Sequence, residues 1–316
     1  MTVKEYAVEL RKITKRFGTV TASNGVDLKV RRGSVHALLG ENGSGKSSLM
    51  KILFGLYQKD EGQIFINGKE EEIHSPLQAL EKGIGMIQQE FMLLPNLSVR
   101  ENLIAAVWSK HPHEKQKNLL HSESGILTRL KLQNILEKPV RELAMGERQK
   151  VEIAKTLYQG AEIIILDEPT SVLTPQESQE LFEILKTLNK EGKTIILITH
   201  KLDEVLNYCD EVTVLRTGKK VDAFYTAQVD RYELAQKMVG RKVLFQLNEK
   251  LPVQEEVKVK IEHLDYRTKK GILKLKDINL EIKKGEILGI AGIDGNGQKE
   301  LANVLAGIQK PTNGTY

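Results

Sequence analysis

An α/β fold with a mostly parallel sheet is expected from three features of this 316-residue chain. Short β-branched runs at residues 163–166 and 194–198 alternate with amphipathic stretches such as 176–189, the pattern of strands buried on both faces between helices. An apolar strand at 34–39 runs into a glycine-rich loop, G-E-N-G-S-G-K-S at 40–47, which opens a helical pattern. The same opening then recurs. Displaced by 252 positions, Gly33, Gly40, Gly43, Gly45, Gly55 and Gly62 become Gly285, Gly292, Gly295, Gly297, Gly307 and Gly314, without a gap from 25–64 to 277–316. A duplicated unit sets the domain plan before any single element does.

The elements follow in order. Residues 6–13 and 26–30 alternate as half-buried strands do. Leu49, Ile52, Leu53 and Leu56 place a helix over 46–56, directly after the loop. Residues 62–67 return to strand, Asn67-Gly68 marks a tight turn, and 84–88 is another short strand. A largely helical stretch is expected from Leu97 to about Gln149, broken by a polar loop at 109–117. Thr217-Gly218 joins 212–216 and 219–222 as a hairpin. Residues 244–256 are charged, contain Pro252 and read as a connector. The plan is a first domain at 1–245, a linker at 246–256, and the start of a second copy at 257–316.

Composition narrows the class. No uncharged apolar run approaches the ~18 residues needed to cross a bilayer, and the first ten residues lack the apolar core of a secretion signal. The single cysteine, Cys209, excludes an internal disulfide and suits a reducing compartment. The net charge of +5 is spread without a long single-sign block, so it reads as a salted surface and not a nucleic-acid track. His111, His113 and His121 are too irregularly spaced for a metal site.

The chemistry gathers at strand ends. In G-x-x-x-x-G-K-[ST] the glycines let backbone N–H groups turn onto phosphate oxygens, and the helix that follows adds its positive end. Lys46 would reach the β- and γ-phosphates, and the Ser47 hydroxyl would ligate Mg²⁺. The candidate nucleotide contacts are Gly40, Glu41, Asn42, Gly43, Ser44, Gly45, Lys46, Ser47 and Ser48. The strand at 163–166 delivers Asp167, placed to hold Mg²⁺ through water, and Glu168, placed to polarise an attacking water. His200, after the strand at 194–198, would hydrogen-bond a γ-phosphate oxygen or that water.

These parts, in this order, resemble the ATP-binding cassette (ABC) ATPases. The resemblance implies a P-loop NTPase fold: a parallel RecA-like core, an antiparallel β subdomain and a helical subdomain carrying a signature, with ATP and Mg²⁺ as cofactors. It implies that Gln89 ligates Mg²⁺ and senses a membrane partner, that Phe17 stacks on adenine, and that His200 is the switch histidine. By the same resemblance 171–174 is the loop at the dimer seam, and Leu143, Ala144, Met145, Gly146 and Glu147 form the signature. The tandem layout, residues 88–102, "LTPQE" at 173–177, "MVGR" at 238–241 and "GIAGIDGNGQ" at 289–298 are similar to bacterial importers of simple sugars and nucleosides, with the nucleoside branch favoured. The chain would then be a peripheral ATPase subunit on the cytoplasmic face of the cell membrane. Its partners would be permease subunits, a second ATPase domain and, indirectly, an extracytoplasmic solute-binding protein, with no nucleic acid. The apolar stretch 91–95 would be either permease contact or local core. The alternatives are a ribosome- or DNA-associated cassette, a small-molecule P-loop kinase, and a catalytically weak regulatory relic. The short connector counts against the first, and the signature, His200 and the duplication count against the second.

Two departures from the family pattern stand out. Ala144 occupies the place of the signature serine, which removes one charge-assisted hydrogen bond worth about 1.5–3 kcal/mol in a dry site. Gln298 stands where the second loop would carry its lysine. In the family's dimer each ATP lies between one domain's loop and the other's signature, so both changes would fall on one composite site. Lys46, Ser47, Gln89, Asp167, Glu168 and His200 would serve the hydrolytic one. The chain stops at Tyr316, before a second signature, so the second domain is expected to be incomplete and hydrolysis by this chain alone weak.

Overall fold

Successive side chains of a strand face opposite sides, so a strand apolar at every position must be covered twice. In the computed structural model, which describes residues 5–108, 124–240, 254–268, 271–292 and 295–315, four strands are covered on both faces. They are β3 (Val35–Leu39), β6 (Ile84–Ile87), β7 (Ile163–Asp167) and β8 (Thr194–Thr199), each buried along its whole length. With β9 (Glu211–Arg216) and β10 (Lys219–Tyr225) they make a six-stranded sheet in the order β10-β9-β3-β8-β7-β6, parallel except for β10. The alternation splits the core. Ala37, Leu39, Ile164, Leu166 and Leu197 pack on one side of the sheet, Leu38, Ile163, Ile165, Ile196 and Ile198 on the other.

The second of these cores is closed by helix α1 (Lys46–Leu53), helix α2 (Pro76–Glu81) and an antiparallel sheet ordered β2-β1-β4-β5, made of β1 (Tyr6–Phe17), β2 (Val20–Arg31), β4 (Glu61–Ile66) and β5 (Lys69–Glu70). The first is closed by α3 (Val99–Trp108), α4 (Ser124–Arg129), α5 (Met145–Tyr158), α6 (Pro175–Lys190), α7 (Leu202–Tyr208) and α8 (Arg231–Val239). This is the α/β architecture expected, with parallel, antiparallel and helical parts all present.

Several boundaries moved. Helix α1 ends at Leu53 and not Leu56, because Gly55 turns left-handed at φ 76° and passes close to the Ser75 backbone. Among the described residues the stretch 97–149 forms α3, α4 and α5 in place of a continuing helix, and the polar break expected at 109–117 lies outside them. Lys131 adopts φ 56° just after α4, and two short 3₁₀ turns, 133–135 and 140–142, carry the chain to α5. Pro139, which bridges Ser98, lies between them. His111, His113, His121 and most of the connector lie outside the described residues. Among the described residues no helix is long and apolar enough to cross a membrane.

Contacts divide the chain into two units, 1–243 and 244–316. The second holds β11 (Val257–Arg267), β12 (Leu273–Lys283), α9 (Gln298–Leu305) and β13 (Asn313–Thr315), around a small core of Ile261, Leu264, Leu275, Leu301 and Val304. Its resemblance to the first unit extends to conformation. The Asp27 carboxylate accepts the Lys12 N–H at 2.9 Å, and Asn279, at the matching place, accepts the His263 N–H at 2.8 Å.

Candidate nucleotide site

Ligands of open parallel sheets bind beyond the carboxyl ends of the strands, and three neighbouring strands end together here. In register, Leu39 pairs with Thr199 and Ile198 with Asp167. The loop after β3, the Asp167-Glu168 pair after β7 and Thr199-His200 after β8 therefore emerge side by side. Two glycines shape the loop. A Cβ on Gly40 would stand 2.3 Å from the Leu215 carbonyl oxygen; one on Gly45, where φ is 95°, would stand 2.1 Å from that of Ala22. Only glycine leaves room for the backbone to approach this closely.

Residues 42–48, Gln89 and Glu168 line a cleft of about 260 Å³. Lys46 is buried, and its ammonium donates to the carbonyls of Gly40 (2.8 Å) and Glu41 (2.9 Å). Burial pulls its pKa down, against the carboxylates of Glu168 and Asp167. The Ser47 hydroxyl donates to Asp167 Oδ1 at 2.9 Å. Burial pushes the Asp167 carboxyl up, with Ser47, Lys51 and Lys46 pulling the other way. Ser44 Oγ is buried with no hydrogen-bond partner in the chain. A buried donor and an ammonium held on carbonyls, at the N-terminus of α1, fit an anion of phosphate type. Ser47, Asp167 and Gln89 offer the hard oxygen donors that Mg²⁺ takes alongside phosphate. Among the described residues no group of three or more His, Cys, Asp or Glu side chains could hold a metal by itself.

Glu168 adopts φ 47°, a conformation that costs roughly 1–3 kcal/mol for a residue with a side chain. Its N–H is held by the Ile198 carbonyl at 3.0 Å, and its carboxylate lies 3.1 Å from His200 Nδ1. His200 thus joins the cleft through Glu168. Phe17 stands apart from the cleft lining, 42% exposed at the end of β1, with Tyr57 edge-on at 5.1 Å. Tyr57 was missed in the sequence, since nothing local links it to Phe17.

The segment 143–147 lies elsewhere, at the start of α5. Glu147 accepts the Ala144 N–H at 2.9 Å, but Ala144 has no oxygen to cap the helix in return. Glu177 instead reaches across from α6 to accept the Gly146 N–H at 3.1 Å. The Thr174 N–H, ahead of Gly146's, holds the Glu177 carboxyl below the usual carboxylate range. A larger groove of about 590 Å³ between α4, α5 and α6 is lined by Ile126, Leu130, Leu157 and Ile184 together with Arg129, Lys131 and Lys150, and takes in none of the strand-end residues. In 91–95, Leu93 is core while Met92 and Leu94 are exposed.

Residues 23–171 match the family model described as ABC transporter. The chain contains an ABC-type ATP-binding cassette. It is 44% identical over 98% of its length to a nucleoside import ATP-binding protein of Lactococcus lactis subsp. cremoris, and 43% identical over 98% to a guanosine import ATP-binding protein of Bacillus subtilis. It spans 62% and 61% of those relatives. The ADP conformation of an ATP-binding cassette of an ABC transporter superposes with a TM-score of 0.65 at 28% identity, over 74% of this chain and 97% of that one. The cassette's cleft fits ATP.

Proposed function

We propose that the first unit binds ATP·Mg²⁺ and hydrolyses it to ADP and phosphate, as the peripheral engine of a membrane importer for nucleosides. The observation that carries this reading is the meeting, at three adjacent strand ends, of a buried lysine, a hydroxyl–carboxylate pair and a strained glutamate beside a histidine. Residues 42–47 would wrap the phosphates with backbone N–H groups, and Lys46 would exchange its carbonyl partners for phosphate oxygens. Ser47, Asp167 and Gln89 would hold Mg²⁺, which would neutralise charge on the phosphates. Glu168 would orient the attacking water and accept its proton, while His200 holds the Glu168 carboxylate and meets the γ-phosphate. Phe17 is the surface for adenine. Exposed Met92 and Leu94 would face permease subunits. The two import relatives named for nucleosides, at 44% and 43% identity, support this solute, while relatives named for glucose and ribose import are each 40% identical.

Calorimetry tests the binding. One ATP should bind per chain with Mg²⁺ dependence, and Lys46→Gln should weaken it about tenfold to a hundredfold by removing charge-assisted bonds. Glu168→Gln should keep the affinity and lower hydrolysis by about 10²-fold or more. Equal affinity in Lys46→Gln would refute the site. Uptake of labelled nucleoside against labelled ribose, in cells with and without the intact transporter, decides the solute.

A further inference from the structure

Glu204 is a buried acid that the chemistry above leaves unused. It sits in the first turn of α7, 7% exposed, and its two oxygens serve different strand ends. Oε1 accepts the hydroxyl of Thr170, three residues after β7, and Oε2 accepts that of Thr199, the last residue of β8, at 2.7 Å. Thr170 and Thr199 are 3% and 2% exposed. Each hydroxyl is used twice. Thr170 Oγ1 also accepts from the Lys201 ammonium at 2.9 Å, and Thr199 Oγ1 from the Lys201 N–H at 3.0 Å. The Lys201 ammonium lies 3.4 Å from the carboxylate. Each oxygen of the Glu204 carboxylate thus accepts from the hydroxyl of a different strand end. A buried charge is costly unless fully paired, and this one is paired on both oxygens.

The positions matter more than the network. Thr170 lies two residues after Glu168 and Thr199 directly before His200. Glu168 is strained at φ 47° and relaxes unless its flanks are held. We propose that Glu204 is a positioning residue, a carboxylate staple that ties the ends of β7 and β8 together so that Glu168 and His200 stay 3.1 Å apart in working geometry. This rests on the hydrolytic reading of the first unit. Glu204 touches no substrate. Its effect runs through the backbone on either side of the two groups.

The test compares Glu204→Gln, nearly the same shape but with a donor facing one hydroxyl, with Thr170→Val and Thr199→Val, which remove one arm each. In the full chain, Glu204→Gln should lower ATP hydrolysis about tenfold, since small misplacements of reacting groups are expensive, while ATP·Mg²⁺ affinity stays within about twofold. Amide exchange should quicken about tenfold at Glu168 and Ser171, whose N–H groups depend on this geometry, and stay unchanged in α1. A rate unchanged in a folded Glu204→Gln protein overturns the proposal. So does a parallel fall in affinity, rate and whole-chain protection, which marks a purely structural acid. If the unsubstituted chain hydrolyses no ATP, the hydrolytic reading fails, and the exchange at Glu168 and Ser171 still decides whether the staple exists.

Discussion

Two glycines of each loop, at 40–47 and at 292–299, turn through nearly the same angles, with φ 78° and 95° at Gly43 and Gly45 against 87° and 97° at Gly295 and Gly297. What precedes them differs. Val35–Leu39 is a buried strand with a parallel neighbour on each side. At the matching positions Ile287, Leu288 and Ile290 are 98%, 40% and 51% exposed, and among the described residues no strand pairs with them. The turn is therefore a local property of glycines and a following helix. The charge array is not, because Asp167, Glu168 and His200 are carried by strands that stand beside β3. Even the side chain behind the loop follows this pattern. Gln298 packs against Gly292 much as Lys46 folds onto Gly40, but without its charge.

The largest expected effect is in amide exchange. Residues 35–39 should exchange at least about 10⁴-fold more slowly than 287–291, since central strands open only near the global unfolding cost. Comparable protection at 287–291 would break the contrast. Next comes a matched pair of substitutions, Leu49→Ala and Leu301→Ala, at the same place in α1 and α9. Leu49 is fully buried in the larger core and should cost about 3–5 kcal/mol, while Leu301 in its five-residue cluster should cost about 2 or less, measured by urea unfolding. Equal costs would mean that the second unit is packed as well as the first. The smallest effect, read per pH unit, concerns acid. His36, buried against Thr213, is pushed down to about 3 by its burial, and Leu288 stands at the matching place. An unfolded chain binds a proton there near pH 6.5, so the first unit should lose stability as pH falls from about 6.5 toward 3, by at most about 1.4 kcal/mol per pH unit. His36→Gln should flatten that slope. An unchanged slope would assign the acid loss to other groups.

Much of the site was legible because its residues travel with strand ends. A glycine-rich loop after an apolar run, and two acids closing a β-branched run, have few other readings, and the sheet brings Lys46, Ser47, Gln89 and Glu168 to one cleft, with Asp167 behind Ser47. Glu204 was not legible, since an acid in a helix's first turn is usually solvated. Its burial depends on β7, β8 and α7 meeting. The stretch 97–149 was misread because apolar spacing continues through Lys131 and Pro139, where the backbone turns out of the helix.

By itself the sequence determined the strands that must be buried on both faces, the glycine-rich loop and the repetition of that loop, because period, glycine geometry and side-chain chemistry are local. Only the tertiary structure decided that Glu168 is strained and braced, that Phe17 leans on Tyr57, and that one copy of an apolar run is a buried strand while the other lies open. Those depend on which strands lie alongside, and pairing between distant segments is written in no single stretch of the chain.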